Sequence, residues 1–195
     1  MNPYNSYYTF NKCINKKICN KIIKISNKFK KGVITRDKGK VDLKIRDSLV
    51  TFTSEDWLYK LISPYLNTAN KEAKWNYEHS WIEDLQITKY VKNQFYDWHF
   101  DAHELPYEDT KSNYYGKIRK ISFSLNLTDS NKYEGGELEF AIPGEKLEYR
   151  IESSDLFKDQ GSLIFFPSFV KHRVTPVTKG TRYSLVGWVL GDPYK

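Results

Sequence analysis

The 195-residue sequence is poor in the residues that build disulfide-stabilised or zinc-stabilised proteins. It has only two cysteines, Cys13 and Cys19, and no second pair that could complete a zinc site. No apolar run approaches the roughly 20 residues that a membrane-spanning helix requires, and the opening MNPYNSYYTF does not resemble a signal peptide. These absences predict reduced thiols and a soluble, cytoplasmic protein with no membrane segment.

The sequence also lacks the short motifs of several common enzyme classes. It contains neither a glycine-rich phosphate-binding loop nor a G-x-S-x-G nucleophile motif. Strand-like segments do not alternate with helical ones, which disfavours a doubly wound nucleotide-binding fold. The 39% hydrophobic and 16% aromatic content is nevertheless sufficient for an ordinary folded core.

The positive charge is concentrated near the N-terminus. Residues 1–50 contain 13 Lys and Arg against 3 Asp and Glu, a balance of +10, whereas the remaining residues carry −3, so the net charge of +7 arises from the N-terminal segment. A basic segment can bind nucleic acid, but Ile14, Ile18 and Ile25 recur between the lysines at helical spacing. We therefore interpret the lysines as the solvated face of a helix and do not expect a nucleic-acid partner.

Two helices followed by a series of short strands are predicted along the chain. The first helix is predicted over residues 12–31, ended by Gly32, and the second over residues 54–68, with Ser54 as its N-cap. From residue 81 onward, segments rich in β-branched and aromatic residues alternate with turn residues. These segments are WIEDLQITKYV, KISFSLNLT, GGELEFAI, LEYRI, GSLIFFPSF, HRVTPV and RYSLVGWVL. The pattern predicts an α+β protein whose β part is a sandwich or barrel.

The segment YDWHFDAH, residues 96–103, contains candidate metal ligands. His99 and Asp101 are two positions apart, so on a strand both side chains point to one face, whereas Trp98 and Phe100 point to the other. A histidine two residues from an aspartate is weak evidence alone, because such a pair is more often a structural hydrogen bond. A metal site therefore requires a third ligand from elsewhere in the chain.

Among the other three histidines, His172 stands out by its surroundings. It follows a buried-looking strand and a proline turn, and Arg182 lies ten residues later on an alternating strand. A guanidinium on such a strand is expected to meet a fixed anion. We interpret His103 as a loop residue and His79 as a surface or structural histidine. Two histidines and one carboxylate match the ligands of non-haem Fe(II) oxygenases, and 2-oxoglutarate as cosubstrate would explain the arginine.

Three longer segments resemble the Fe(II)- and 2-oxoglutarate-dependent oxygenases, and most of all the PKHD-type hydroxylases of the prolyl 4-hydroxylase group. They are YVKNQFYDWHFDAH, RKISFSLNLTDSNKYEGGELEF and GSLIFFPSFVKHRVTPVTKGTRYSLVGWVLG, in family order and with family-like spacing. The resemblance implies a single oxygenase domain over residues 1–195. Residues 1–80 would be mainly helical support, and residues 81–191 a double-stranded β-helix, which is a jelly-roll-like, cupin-type sandwich.

The resemblance implies that His99, Asp101 and His172 bind Fe(II), and that Arg182 binds the far carboxylate of 2-oxoglutarate. O2 would be the second cosubstrate, and ascorbate is an expected stimulant. An aspartate at position 101 favours hydroxylation, since related halogenases have a small residue there. The reaction would release succinate and CO2.

Two further residues are candidates for 2-oxoglutarate contacts by the same resemblance. Tyr90 is a candidate hydrogen-bond donor, and Asn126 lies on the polar face of its predicted strand, where ordinary strand polarity explains it equally well. The expected substrate is a prolyl residue of a peptide or protein. Three alternatives stay open: the same chemistry on a free amino acid, small metabolite or alkylated base; an inactive jelly-roll binding module; and a nucleic-acid-binding protein that uses the basic segment.

Overall fold

The computed structural model describes residues 6–33, 42–103, 105–143, 149–153 and 157–194. Two antiparallel sheets form a sandwich, and two helices pack on the outer face of the larger sheet. This arrangement confirms the predicted α+β class.

Two α-helices lie in the described residues, Lys16–Ile25 (α1) and Asp56–Glu72 (α2), together with a short 3-10 turn at Ser130–Lys132. Neither of these helices is long and apolar enough to cross a membrane. The strands, in chain order, are β1 (Tyr8–Phe10), β2 (Lys30–Lys31), β3 (Arg46–Asp47), β4 (Leu49–Thr53), β5 (Trp81–Ile82), β6 (Leu85–Val91), β7 (Phe95–His99), β8 (Ile118–Asn126), β9 (Tyr133–Gly135), β10 (Leu138–Pro143), β11 (Tyr149–Ser153), β12 (Leu163–Pro167), β13 (Lys171–Val174) and β14 (Val177–Gly191).

The larger sheet contains nine of these strands. Seven follow the order β1-β12-β8-β14-β6-β4-β2, while β5 and β9 each pair with β14. The smaller sheet has the order β11-β10-β13-β7-β3. The longest strand, β14, is held on its two sides by β6 and β8. All seven strands predicted from residue 81 onward are present, with shifted ends.

Each face of the larger sheet packs against a different layer. Along β12, Leu163 and Phe165 join the cluster beneath the helices, whereas Ile164 and Phe166 join the cluster between the two sheets. This alternation follows from the two-residue period of a strand. The sheet is therefore buried on both faces, which explains why β12 reads as a continuous apolar run.

Helix α1 is shorter than predicted. It begins after Asn15, whose side chain caps the first turn, and it ends at Ile25 rather than before Gly32. The hydroxyl of Ser26 donates to the Ile23 carbonyl and closes the last turn. The lysines that follow form β2, which pairs with β4, so tertiary pairing overrides the helical spacing of that stretch.

Helix α2 begins two residues after Ser54 and ends later than predicted. Glu55 occupies the N-cap position without a side-chain hydrogen bond to the helix. The helix buries one apolar face, since Leu58 and Ile62 are fully buried. Leu66 continues the buried stripe at helical spacing, which explains the extension of the helix.

The residues before position 81 contribute strands as well as helices. β4 joins the larger sheet beside β6, and β3 joins the smaller sheet beside β7. The predicted helical support therefore also forms part of the sandwich walls. Strand β3 was not predicted, because its two residues are too few to show an alternating pattern.

Several lysines of the basic segment have structural partners. The Lys16 ammonium lies 3.3 Å from the Asp129 carboxylate, and the Lys21 ammonium lies 4.1 Å from the centre of the Trp57 ring. These contacts support the interpretation of the lysines as a helix face that packs on the domain.

Candidate metal and cosubstrate site

Two neighbouring strands of the smaller sheet bring the candidate histidines together. His99, the last residue of β7, lies directly opposite His172 of β13. Directly opposed residues share one face of a sheet, so the two rings meet with their centres 4.2 Å apart. Asp101 lies beyond the end of β7, where its amide donates to the Ser168 carbonyl and fixes the departing chain.

The three candidate ligands form one compact cluster, with their donor atoms all within 4.8 Å of one another. The Asp101 carboxylate oxygens lie 3.7 Å from His99 Nε2 and 3.5 Å from His172 Nε2. The Nδ1 atom of each histidine donates to a backbone carbonyl, that of Asp97 or that of Val170. Both Nε2 lone pairs are therefore free for a metal, in the arrangement typical of ligating histidines.

The electrostatics of the cluster suit a divalent cation. Burial and the neighbouring His172 hold the pKa of His99 well below its ordinary value, so this imidazole is neutral. Burial alone would raise the pKa of Asp101, but the two histidines and Arg119 lower it. Neutral imidazole and ionised carboxylate are the forms that bind a metal. The residues present therefore fit the predicted Fe(II).

The cluster lies in the wall of a cavity of about 470 Å³ between the two sheets. This volume is within the usual range of small-molecule sites. The side chains that alternate along β14 line the cavity as predicted: Arg182, Ser184, Val186 and Trp188. The strand therefore presents one polar and partly aromatic face to any bound molecule.

The orientation of the side chains next to His99 and Asp101 was predicted less accurately. Alternation predicts that Trp98 and Phe100 face away from the ligands, yet both line the cavity. The prediction fails for Phe100, because β7 ends at His99 and the chain bends there, whereas the Trp98 ring lies 4.6 Å from the guanidinium of Arg173, which neighbours His172 on the opposite face of β13. His103 also lines the cavity but is not part of the ligand cluster, and His79 is exposed outside it.

Arg182 is buried in the cavity wall, with 3% of its surface exposed. Its guanidinium carbon lies 5.8 Å from the centre of the Tyr90 ring, and Nη1 lies 3.4 Å from Ser184 Oγ. It forms no ion pair with a carboxylate of the described residues. A Cβ atom at Gly136 would lie 3.1 Å from Arg182 Cδ, so glycine leaves room for the arginine. A buried cation of this kind favours an anionic ligand.

The two other candidates for cosubstrate contacts differ in position. Tyr90 is buried and lines the cavity. Asn126 does not line it, although Ser124 on the same strand does. The Asn126 amide nitrogen instead donates to the backbone carbonyls of Thr128 and Lys158. These contacts give Asn126 a structural part where β8 ends.

A buried polar network beside the cluster was not predicted. Arg119 donates two hydrogen bonds to Glu83, with N–O distances of 2.6 and 2.7 Å, and Nη1 lies 3.5 Å from the Asp101 carbonyl oxygen. The Tyr107 hydroxyl donates to the same Glu83 carboxylate. The guanidinium also lies 4.0 Å from the centre of the Trp188 ring. The network ties the segment after β7 to the sandwich. The position of Arg119 directly before the predicted strand KISFSLNLT was the available signal.

Arg46 of β3 also lines the cavity and was not predicted. Its guanidinium lies 4.6 Å from the centre of the Tyr96 ring, which stacks on His99 with 3.5 Å between ring centres. Its Nε donates to Ser48 Oγ and its Nη1 to the Val33 carbonyl. The surrounding sequence has no periodic pattern, so nothing in it placed Arg46 at the site.

A sandwich of this topology, with two histidines and one carboxylate beside a buried arginine, defines a metal-dependent oxygenase. The family described as the 2OG-Fe(II) oxygenase superfamily matches residues 85–190, which is more than half of the chain. The chain belongs to this superfamily. The predicted family is thereby confirmed, and family and cluster together imply Fe(II) and 2-oxoglutarate.

Curated relatives of the chain are PKHD-type hydroxylases. One from Idiomarina loihiensis is 34% identical over 108 residues, which cover 55% of this chain and 42% of that protein. One from Gloeothece citriformis is 35% identical over 108 residues, covering 55% and 43%. The chain therefore spans less than half the length of these relatives.

Solved structures of prolyl hydroxylases share the fold. A Pseudomonas putida prolyl-4-hydroxylase matches with a TM-score of 0.70 at 16% identity, over 94% of this chain and 92% of that one. A Trichoplax adhaerens prolyl hydroxylase, in complex with a peptide fragment of hypoxia inducible factor, matches with a TM-score of 0.65 at 19% identity, over 95% and 83%. These matches confirm the predicted double-stranded β-helix.

Proposed function

We propose that the chain is an Fe(II)- and 2-oxoglutarate-dependent dioxygenase that hydroxylates an unactivated C–H bond, with release of succinate and CO2. One observation carries the proposal: the cluster of His99, Asp101 and His172 and the buried Arg182 line the same cavity. A hydrolytic metal site needs no such arginine, whereas a dicarboxylate cosubstrate does. Residues 1–195 would form one domain, since both sheets take strands from before and after position 81.

In this proposal His99, Asp101 and His172 hold the metal. The Nδ1 hydrogen bonds of the histidines fix both rings, so the Nε2 atoms stay directed at one point. Asp101 adds a negative charge that offsets part of the charge of the cation. Three protein ligands leave further coordination positions for ligands that are not protein. Bound Fe(II) and 2-oxoglutarate would supply the oxidising chemistry with O2.

Arg182 and Tyr90 would bind the far carboxylate of 2-oxoglutarate. A carboxylate accepts two parallel hydrogen bonds from a guanidinium, and burial strengthens them because the local dielectric constant is low. Burial raises the pKa of Tyr90, so its hydroxyl stays protonated at neutral pH and can donate. The Ser184 hydroxyl near Nη1 would help to hold the arginine. This wall therefore selects a cosubstrate with two carboxylates.

The remaining walls would exclude water from the reacting carbon. Large aromatic side chains line the cavity, namely Phe52, Trp98, Phe100, Phe166 and Trp188. An apolar lining of this kind disfavours bulk water and protects a reactive centre from side reactions.

A prolyl residue of a peptide or protein is the proposed substrate. The Pseudomonas putida prolyl-4-hydroxylase and the Trichoplax adhaerens prolyl hydroxylase, which was solved with a peptide, support this by their names. In this chain Phe52 and Phe100 line the cavity while remaining exposed, and their rings would suit the apolar ring of proline. Two observations therefore support a prolyl substrate: the exposed aromatic side chains that line the cavity, and the names of related proteins.

Incubation with Fe(II), 2-oxoglutarate, O2 and proline-containing peptides tests the proposed function. Succinate should form, and mass spectrometry should detect the gain of one oxygen atom in a substrate. His172→Ala should abolish both signals without changing the circular dichroism spectrum. Lys171→Ala, which alters the adjacent partly exposed residue of β13, should keep both. Folded, iron-loaded wild-type protein that forms no succinate would contradict the proposal.

A further inference from the structure

Arg46 lines the cavity but has no part in the proposed binding of iron or 2-oxoglutarate. It is 6% exposed, and its two hydrogen-bond partners, Ser48 Oγ and the Val33 carbonyl, are neutral. Across the described ranges, it forms no ion pair with a carboxylate. A buried guanidinium with only neutral partners keeps an uncompensated charge, which is costly unless an anion joins it.

The backbone leaves room for this side chain at Gly32. A Cβ atom there would lie 2.6 Å from Arg46 Nε and 2.5 Å from Ser48 Oγ, so any larger residue would displace the guanidinium. Gly32 lies outside helix α1, beside the Arg46 side chain rather than at the predicted helix end. The lack of a side chain at Gly32 therefore leaves the space that the Arg46 guanidinium occupies.

Among the described residues, the charges that line the cavity do not balance without a further anion. Glu83 neutralises Arg119 through their two hydrogen bonds. Asp101 and the chelating carboxylate of 2-oxoglutarate would offset the two charges of Fe(II), and the far carboxylate would offset Arg182. The charge of Arg46 then remains, so the loaded cavity suits one additional anionic group.

Arg46 reaches the metal cluster through Tyr96. The guanidinium lies over the Tyr96 ring, and the opposite partner of that ring is His99, stacked at 3.5 Å. Arg46 and the metal cluster line the same cavity, so a group held by Arg46 would lie in the space that the cluster also faces.

We propose that Arg46 binds the α-carboxylate of the primary substrate. A carboxylate matches the planar guanidinium, whose Nη2 has no hydrogen-bond partner among the residues described. The cavity of about 470 Å³ must also hold 2-oxoglutarate, so the carboxylate belongs to the hydroxylated residue itself. The substrate is then a free amino acid or the C-terminal residue of a peptide, not an internal residue. This inference rests on the proposed function and narrows its substrate.

Four probes test the inference: L-proline, L-prolinamide, N-acetylglycyl-L-proline and the C-terminal amide of that dipeptide. Each is titrated anaerobically into protein loaded with Fe(II) and 2-oxoglutarate. Tryptophan fluorescence reports binding, because Trp98 and Trp188 line the cavity. At least one acid should bind about tenfold or more tightly than its amide, since a charge-assisted hydrogen bond contributes that much. The pair that shows the difference distinguishes a free amino acid from a peptide C-terminus.

Three variants assign the effect to Arg46. Arg46→Gln should remove the preference for the acid while leaving the Kd of 2-oxoglutarate unchanged. Gly32→Ala keeps the arginine but fills its space, so it should also remove the preference. Lys31→Gln removes one charge from the neighbouring surface, where Lys31 pairs with Asp47, and should bind like the wild type.

Equal binding of acids and amides by the wild type, or binding of none of the four probes, would overturn the inference. An Arg46→Gln variant that loses 2-oxoglutarate as strongly as the acid would also overturn it, because Arg46 would then serve the cosubstrate. If Arg46→Gln does not fold, Arg46→Lys keeps the charge without the planar fork and should weaken the acid selectively. Failure of the proposed function is separate, since wild-type protein would then not bind 2-oxoglutarate at all.

Discussion

The residues before position 85 and those from 85 to 190 contribute different groups to one cavity. The later segment, which matches the superfamily, supplies the candidate metal ligands and the arginine that is proposed to bind 2-oxoglutarate. The earlier segment supplies a wall of the same cavity, formed by Val33, Ile45, Arg46, Val50, Phe52 and Glu83. In the proposed function, the later segment provides the groups for the chemistry, and the earlier segment provides the wall that fits the substrate. Substitutions in the later segment should therefore affect metal and cosubstrate binding, whereas cavity-wall substitutions in the earlier segment should affect substrate binding.

The largest effect is expected from Asp101→Ala in the later segment. Removing the carboxylate of the cluster should abolish turnover and weaken Fe(II) binding, since only two neutral ligands remain. Asp97→Asn provides the matched control, because Asp97 is an exposed carboxylate on the same strand. Succinate formation and Fe(II) titration measure the effect. Normal turnover by Asp101→Ala would contradict the assignment of the metal site to this cluster.

Arg182→Ala should affect the cosubstrate far more than the metal. Loss of a buried, charge-assisted anchor should raise the Kd of 2-oxoglutarate by roughly 10-fold to 100-fold, with a much smaller change for Fe(II). Lys179→Ala, which removes an exposed cation from the same strand, should change neither. Isothermal titration calorimetry gives both constants. Equal loss of the two ligands would indicate misfolding instead of a lost anchor.

Glu83→Gln tests the contact that joins the two segments. Glu83 precedes the matched region and Arg119 lies within it, so breaking their buried pair leaves an uncompensated charge. The free energy of unfolding should fall by about 3–5 kcal/mol. The double variant Glu83→Gln, Arg119→Met should be less destabilised, because no charge then stays unpaired. Chemical denaturation of both variants measures this, and an equal loss in the two would contradict the explanation.

Leu66→Ala tests the helix layer, which lies on the sheet face opposite the cavity. This fully buried side chain packs in the apolar cluster, so its truncation should lower the free energy of unfolding by about 2–5 kcal/mol. The activity per folded molecule should not change. Leu43→Ala, at a leucine that is half exposed, should have little effect on either quantity. A large loss of activity in folded Leu66→Ala protein would show that the layers are coupled.

Much of the fold could be predicted because its signals are local. Leu58 and Ile62 mark a helix face, and the apolar run around Phe165 marks a buried strand. The end of α1 could not be predicted, because the pairing of Lys30 with Val50 across β2 and β4 decides it. Such pairing joins residues far apart in the sequence and leaves no periodic trace in it.

The candidate site also contains residues that the sequence predicts and residues that it does not. His99 and Asp101 lie in one short motif, the surrounding sequence singled out His172 and Arg182, and the resemblance to a family supplied their roles. Arg46 escaped prediction because only strand pairing places it, through its partner Tyr96 on β7. A single sequence therefore does not reveal those site residues whose position depends on sheet register.

The existence of an iron and 2-oxoglutarate site can be decided by visible spectroscopy. Anaerobic protein with Fe(II) is titrated with 2-oxoglutarate, and the absorption spectrum is recorded for the wild type and for His172→Ala. A weak charge-transfer band should appear that requires iron, 2-oxoglutarate and His172 together. Folded wild-type protein that binds Fe(II) but gives no such band would contradict the proposed site.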